Sequence, residues 1–232
     1  MERIEGVEWK TLAQVGVVGG NPDAAVAIVA QGTDEWLRLR CGVITASQIG
    51  TLITTTGKVS TGKTRETYIN KLIAEALTGE PEPSYESAAM ARGTALEPEA
   101  RLWYRFEAAT EVAEVGFVFG DESGTFGFSP DGLTHDRIIE IKCPMPHTMV
   151  GYLRGGKMPT AYIPQVQFGM WVMGLPLCDF ILYSGVQEIP HVAWTVEADA
   201  ALHAVYATQV PEICAEIQEG IENIRNYTGE GR

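Results

Sequence analysis

The segment that most constrains the fold is Arg137–Lys142, in which isoleucines alternate with Glu140 and Lys142. Alternate side chains of a strand lie on opposite faces, so these two charged groups share one face and the isoleucines on either side of Glu140 share the other. The segment follows a Pro-Asp-Gly turn, and a hairpin through Gly132–Arg137 folds Asp131 back beside Glu140. The pattern therefore predicts a strand pair that presents two acids and a lysine together.

Two converging carboxylates suit Mg²⁺, a hard cation that prefers oxygen ligands. Bound Mg²⁺ lowers the pKa of water and neutralises charge on a phosphate, which is the chemistry of phosphodiester cleavage. Lys142 would orient or deprotonate the water, or stabilise the transition state, and the residues alone do not separate these roles. Taken alone, the same residues fit a surface turn followed by a solvated Glu/Lys pair equally well, because Pro-Asp-Gly is a favoured turn sequence.

The order of elements along the chain predicts a mixed α/β fold. Helices are expected where apolar residues recur at helical spacing, and strands where β-branched and aromatic residues lie between turns. With no internal repeat, residues 33–232 are predicted to form one domain with a central mixed β-sheet flanked by helices. Helices are predicted at 34–40, 49–53, 64–77, 97–109, 164–173 and 198–227, and strands at 112–119, 124–129, 137–142, 179–184 and 191–196.

Residues 1–32 are predicted to be an accessory N-terminal segment. A short apolar stretch leads to a turn at Gly19-Gly20. Asn21-Pro22-Asp23 then indicates the start of an Ala- and Val-rich helix.

The charge of the chain at first argues against DNA as a partner. Its 232 residues include 17 Lys plus Arg and 30 Asp plus Glu, which gives a net charge of −13. A polyanion is repelled by such a surface. The net charge and a DNA partner become compatible if the basic groups are gathered in one channel and if metal-binding carboxylates account for part of the acidic residues.

The cysteines and the first residues of the chain favour an intracellular protein. The four cysteines are scattered and form no Cys-x-x-Cys pair, so the sequence indicates free thiols rather than a zinc site, an iron–sulfur cluster or a disulfide framework. The N-terminus lacks a basic start followed by an apolar run. We therefore expect a cytoplasmic protein without membrane contact.

Several motifs occur in order over residues 34–185. They are Glu35-Trp36, Arg40 with Gly42-Val43-Ile44-Thr45-Ala46-Ser47, Gly93 with Glu97 and Ala100-Arg101, Ser129-Pro130-Asp131-Gly132, Glu140-Ile141-Lys142-Cys143-Pro144, and Tyr162 with Gln165-Val166-Gln167 and Met170-Trp171. In this series the chain resembles the lambda-exonuclease (YqaJ-type) branch of the PD-(D/E)xK nucleases. The resemblance implies a restriction-endonuclease-like core.

The resemblance also implies which residues form the catalytic site. It implies two Mg²⁺ ions per site, for which Mn²⁺ would substitute, and Lys142 as the catalytic lysine. Gln165 and Tyr162 would shape the site from the following helix, although both also fit an ordinary helix face. The implied metal ligands are Asp131, Glu140, the carbonyl of Ile141, and Glu97 near the second metal or its waters.

Arg40 and Ser47 match the pocket in which members of this family hold the 5′-phosphate of a DNA end. Residues 45–48 fit a capping box, which would place Ser47 at a helix N-terminus where free N–H groups attract an anion. Arg40 can add a two-pronged contact. In the plainer interpretation, Thr45 and Ser47 only cap the helix and Arg40 is solvated.

Residues 57–64, Gly-Lys-Val-Ser-Thr-Gly-Lys-Thr, satisfy the Walker A pattern of nucleotide hydrolases. Against this alternative, no hydrophobic strand ends in the Asp expected to hold Mg²⁺, and Leu52–Thr56 continues a helix. The favoured interpretation is a basic loop in which Lys58 and Lys63, together with Arg65, contact the DNA backbone.

The function implied by the resemblance is 5′-to-3′ exonuclease action on double-stranded DNA, which leaves 3′ single-stranded tails for phage-type recombination. A homotrimeric ring and a phage single-strand annealing protein as partner are also implied. A closed ring encircles its substrate, and this would offset the unfavourable net charge. The alternatives are an endonuclease or resolvase with the same core, an inactive DNA-binding or assembly protein, and a P-loop nucleotide hydrolase.

Overall fold

Two β-sheets flanked by helices form the fold of residues 6–83 and 87–227, the parts of the chain that the computed structural model describes. The predicted mixed α/β class is confirmed, with the strands divided between two sheets. The strands are β1 Glu8–Lys10, β2 Ala25–Ile28, β3 Ile44–Thr45, β4 Phe117–Phe119, β5 Phe126–Phe128, β6 Gly132–Leu133, β7 Arg137–Lys142, β8 Leu177–Leu182 and β9 Val192–Glu197. The α-helices are α1 Asp34–Leu39, α2 Ile49–Leu52, α3 Lys63–Thr78, α4 Ala88–Glu107, α5 Pro146–Gly155, α6 Ile163–Met173 and α7 Ala200–Arg225.

The first sheet has the order β1-β2-β4-β5-β3, with β3 parallel to β5 and the other pairs antiparallel. The Ala- and Val-rich helix predicted after Asn21 is wrong, because residues 25–28 form β2. Val26 and Ala27 are fully buried in β2 between β1 and β4. Pairing on both edges and burial outweigh the local preference of alanine for helix.

The second sheet has the order β6-β7-β8-β9, in which β7 and β8 are parallel. β7 has the bounds that the alternating pattern predicts. Ile139 and Ile141 pack with Ala100 and Tyr104 of α4 on one face of the sheet. The opposite face of β7, which carries Glu140, is turned towards α6 and the main core. Helices on both faces therefore bury this strand.

Helix α4 begins nine residues before the predicted start at residue 97. Ser87 caps it by accepting a hydrogen bond from the backbone N–H of Met90. Pro98 would fall in the first turn of the helix predicted from residue 97, where proline is tolerated, but it lies inside the observed helix. Helix α5 was not predicted; it begins at Pro146 and buries Met149. The strand predicted over 112–119 is confined to Phe117–Phe119.

All four cysteines are free; Cys143 and Cys178 are buried, and Cys41 and Cys214 are partly exposed. Over residues 6–83 and 87–227, no helix is both long and apolar enough to cross a membrane.

Candidate active site

The predicted convergence at the hairpin is present in the structure. Gly132 pairs with Ile139 across β6 and β7, which brings Asp131 alongside the end of β7. The backbone N–H of Ile141 donates to Asp131 Oδ2 at 2.6 Å. Glu140 and Lys142 share one face of β7, where Lys142 Nζ lies 2.5 Å from Glu140 Oε1. The two acids and the lysine thus meet at the carboxyl end of β7.

Helix α6 and the turn before it close the same site. Gln165 donates its side-chain N–H to Glu140 Oε1. Lys142 Nζ lies 5.5 Å from the centre of the Tyr162 ring, a cation–π arrangement. The structure therefore brings both residues to the site and orients Glu140 by two donors.

Helix α4 supplies the third acid, Glu97. Its Oε1 atom lies 2.5 Å from Nη2 of Arg101, one turn further along the helix. Glu97 lines a cleft of about 470 Å³ together with Asp131, Ile141 and Lys142. These four residues, which the resemblance assigns to the catalytic site, therefore line one cleft. Glu140 is buried and does not line this cleft.

A second, larger cleft of about 730 Å³ adjoins the first. Thr94, Glu97 and Asp131 line both clefts, so the acids form part of the wall between them. The second cleft is also lined by Trp36 and Arg101. Space is therefore available on both sides of the carboxylate cluster.

The acids of the site hold protons more tightly than isolated carboxyl groups. Burial raises the pKa of Glu140 to about 7, with a further increase from Asp131 that Lys142 opposes. Burial also raises the pKa of Glu97 to about 7, with the charge of Asp131 as the second cause. The pKa of Asp131 is raised by burial as well. Crowded, partly desolvated carboxylates are stabilised by a bound cation.

Burial alone would lower the pKa of Lys142, but the charges of Glu140 and Asp131 outweigh it, and the pKa lies above its ordinary value. The side chain keeps 26% of its surface exposed. Lys142 is therefore an ammonium group at neutral pH.

The donor set fits Mg²⁺ in kind, because Asp131, Glu97 and Glu140 offer only carboxylate oxygens. In the described ranges, no three Asp, Glu, His or Cys side chains are already converged into a metal cage. Glu140 is paired with Lys142 and Glu97 with Arg101 instead. Each pair engages the Oε1 atom, so a metal ion would bind carboxylates that also contact a cation.

We expect the raised pKa values of these acids to make Mg²⁺ binding dependent on pH. Glu97 and Glu140 have folded-state pKa values of about 7, above the unfolded value near 4.3, so the metal-free fold loses stability as pH rises through this window. Below about pH 7, protons would compete with the metal for the carboxylates of Glu97 and Glu140. We expect Mg²⁺ to raise the melting temperature more at about pH 8.5 than at about pH 6. An equal or larger Mg²⁺ effect at the lower pH would contradict the expectation, and Glu97→Gln should reduce the difference.

The candidate end pocket differs from its predicted geometry. Thr45 belongs to β3 and its side chain caps no helix, so the predicted capping box is wrong. Ser47 lies inside a 3₁₀ turn, with its Oγ atom 3.4 Å from Thr45 Oγ1. Pairing of β3 with β5 holds Thr45 extended, and Tyr68 accepts a hydrogen bond from its backbone N–H. The helix-terminus argument for an anion at Ser47 therefore does not apply.

Arg40 is partly buried, so it is less solvated than the plainer interpretation expects. Its guanidinium carbon lies 3.9 Å from the centre of the Trp36 ring. The indole N–H of Trp36 donates to the Gly116 carbonyl and to Ser129 Oγ, both at 2.9 Å, which fixes the ring. Within the described residues, the buried Nε atom of Arg40 has no hydrogen-bond partner. A partly buried guanidinium with an unsatisfied donor suits an anionic ligand.

The Walker-like loop forms a hairpin rather than a phosphate cradle. Ser60 N donates to the Leu52 carbonyl, and Ile53 bridges to Val59. A helix, α2, leads into the loop, where a P-loop requires a strand. The nucleotide-hydrolase alternative therefore has no structural support.

The basic residues of this region are not gathered at the catalytic clefts. Lys58 and Arg65 line a separate cleft that shares no lining residue with those of the acids. The two terminal guanidinium nitrogens of Arg65, Nη1 and Nη2, donate hydrogen bonds to Glu216 of α7. Lys63 is the first residue of α3. DNA contact by these three residues stays a prediction.

Sequence reasoning missed Arg101 as a part of the site. Besides Glu97, it contacts the Asp131 carbonyl and Glu114. The i,i+4 spacing from Glu97 was the available signal, but it is also typical of surface ion pairs.

Comparison with known proteins gives one matching family and several similar structures. Residues 35–176 match the family described as the YqaJ-like viral recombinase domain. No curated protein sequence matches significantly. The crystal structure of LHK-Exo in complex with dAMP is 37% identical, with a TM-score of 0.75 over 83% of this chain and 96% of that chain. The structure of the alkaline exonuclease LHK-Exo from Laribacter hongkongensis gives 36% identity and the same TM-score and coverage.

A phage-related exonuclease from Haemophilus somnus 129PT shares the fold, with a TM-score of 0.58, 14% identity and coverage of 78% of this chain and 96% of that chain. The family match extends over more than half of the chain and includes Asp131, Glu140 and Lys142. The chain therefore belongs to the YqaJ-like viral recombinase domain family of nucleases.

Proposed function

We propose that this chain is a Mg²⁺-dependent exonuclease that degrades double-stranded DNA from its 5′ ends and leaves 3′ single-stranded tails. The observation that carries the proposal is the meeting of Asp131, Glu140 and Lys142 at the end of β7, with Glu97 facing the same cleft. The similar structures are named exonucleases, and one of them holds dAMP, a nucleoside monophosphate.

Asp131, Glu140 and Glu97 would hold the metal ions, and Mn²⁺ would substitute for Mg²⁺. The Ile141 carbonyl fits as a further ligand: the N–H of Ile141 donates to Asp131, and the N–H and C=O of one strand residue point to the same side. Bound Mg²⁺ supplies a nucleophilic water and neutralises charge on the phosphate. Gln165 would hold the Glu140 carboxylate in place for metal binding through its hydrogen bond to Glu140 Oε1.

Lys142 is proposed to act as a cation rather than as a general base. Its pKa is raised by Glu140 and Asp131, so the ammonium group has no free lone pair with which to accept a proton. A fixed positive charge can orient the water and stabilise the negative charge that develops on the phosphate oxygens. The stacking of Lys142 over Tyr162 holds the ammonium near the cleft.

Arg40 is proposed to bind the 5′-phosphate of the DNA end together with Ser47 and Thr45. We expect duplexes with a 5′-phosphate to be digested about tenfold faster than those with a 5′-hydroxyl, since one charge-assisted hydrogen bond contributes about 1.5 kcal/mol. Arg40→Ala should remove most of that difference. The matched control is Arg38→Ala, an exposed arginine of α1. Equal rates on both ends in the wild-type protein would overturn this assignment.

A homotrimeric ring in the cytoplasm and a single-strand annealing protein as partner belong to the same proposal. The net charge of −13 opposes binding to a polyanion. A ring of three subunits that encloses the duplex would retain it by topology and needs only a modest basic lining, such as Lys58, Lys63 and Arg65.

A further inference from the structure

Arg101 joins three separate segments around the carboxylate cluster. Its side chain is buried, with 9% of the residue exposed. Nε donates to the Asp131 carbonyl at 2.7 Å, Nη1 to Glu114 Oε2 at 2.8 Å, and Nη2 to Glu97 Oε1 at 2.5 Å. One guanidinium thus spans α4, the chain before β4 and the turn that carries Asp131.

The position of Glu97 in α4 explains why the hydrogen bonds of Arg101 are needed there. The next residue, Pro98, lies inside the helix and has no N–H, so the backbone hydrogen bond to the Thr94 carbonyl is missing at this turn. Glu97 and Thr94 lie where the two clefts meet. The helix is therefore least supported by its own backbone where it carries the acid.

We propose that Arg101 is a positioning residue that holds the Glu97 carboxylate and the Asp131 peptide in the relative placement needed to bind metal. The inference rests on the proposed metal-dependent function. Glu114, the third partner, is 66% exposed in its side chain and contributes little to the arrangement. The guanidinium fork is required, because a lysine ammonium is a point charge without fixed donor directions.

The alternative role of Arg101, simple charge compensation, predicts the opposite change in metal affinity. If Arg101 were only a nearby positive charge, its removal would strengthen the binding of a divalent cation. If Arg101 positions the ligands, its removal weakens binding, because loss of an outer-shell partner typically lowers metal affinity about 10–100-fold. The direction of the change therefore distinguishes the two roles.

The test is the dissociation constant of Mn²⁺, measured by titration calorimetry without DNA. We expect Arg101→Gln to bind Mn²⁺ about tenfold more weakly than the wild type. Arg101→Lys, which keeps the charge, should also bind more weakly. The matched control is Arg105→Gln on the same helix, because Arg105 pairs with the largely exposed Glu111 away from the acids.

A double-mutant cycle keeps the test independent of general damage to the fold. If Arg101 acts through Glu97, Arg101→Gln should change Mn²⁺ affinity much less in the Glu97→Gln background than in the wild type. Unchanged or tighter Mn²⁺ binding in Arg101→Gln, or an equal loss in both backgrounds, would overturn the inference. Should Arg101→Gln not fold, Arg101→Lys in both backgrounds decides by the same criteria. Failure of the wild type itself to bind Mn²⁺ would instead overturn the proposed metal dependence.

Discussion

Replacement of Lys142 by alanine is expected to reduce DNA cleavage about 10²–10³-fold, the loss typical for one group that stabilises transition-state charge. The ammonium lies 2.5 Å from Glu140 Oε1 and lines the cleft with Asp131. Its removal takes away the positive charge that we propose faces the reacting phosphate, and it leaves Glu140 without its ion-pair partner. The rate of release of acid-soluble nucleotides from linear duplex DNA measures the effect.

The control for this experiment is Lys157→Ala. Lys157 is exposed after α5 and lines neither cleft of the acids. The Lys157→Ala variant should cleave DNA at the wild-type rate. The helical signal in circular dichroism should be the same for both variants, because Lys142 does not belong to the apolar core clusters. Retention of full Mg²⁺-dependent cleavage by Lys142→Ala would refute the assignment of the site.

Replacement of Asp179 by alanine is expected to lower the free energy of unfolding by about 3 kcal/mol. Asp179 is buried in β8 and accepts hydrogen bonds from Tyr104 Oη at 2.5 Å and from Thr195 Oγ1 at 2.7 Å. Arg137 Nη1 lies 3.3 Å from its Oδ1 atom. The alanine variant leaves these three donors without their common acceptor. Urea unfolding followed by circular dichroism measures the change.

Asp136→Ala provides the comparison. Asp136 also pairs with Arg137, but 36% of its side chain is exposed, so its loss should cost less than about 1 kcal/mol. Equal losses of stability for the two variants would show that burial of Asp179 does not set the strength of this network.

The part of the fold that could be predicted from the sequence is the part set by local pattern. The alternation within Arg137–Lys142 gave the bounds of β7, and the turn before it gave the hairpin with Asp131. Helices α6 and α7 also agree closely with their helical patterns. In each case, the residues that determine the element lie within it or next to it.

Elements that depend on distant partners were predicted less well. Residues 25–28 mix alanine with the β-branched Val26 and Ile28, so their own pattern is ambiguous, and they become β2 because Val26 pairs with Val118, far along the chain. The start of α4 was missed because Pro98 is typical of a first helical turn, whereas the real cap is Ser87. Neither the pairing of β2 with β4 nor the position of Pro98 inside a helix can be predicted from the neighbouring residues alone.

The candidate site shows the same division. Asp131, Glu140 and Lys142 were predicted to meet from strand geometry alone, whereas Glu97 entered through the family resemblance. The contact of Gln165 with Glu140 joins residues 25 positions apart. Arg101 reaches the Asp131 carbonyl from 30 positions away. Such contacts follow from the packing of α4 and α6 around β7, and no spacing within the sequence specifies them.

The central claim is that this site removes nucleotides from the 5′ ends of DNA with the help of a metal ion. The most direct measurement is digestion of a linear duplex labelled at either the 5′ or the 3′ ends, beside a covalently closed circle, with Mg²⁺ and with a chelator. The account predicts early release of the 5′ label as a mononucleotide, delayed release of the 3′ label, an intact circle and no digestion in the chelator. Cleavage of the circle at a comparable rate, or digestion of linear DNA without metal, would contradict it.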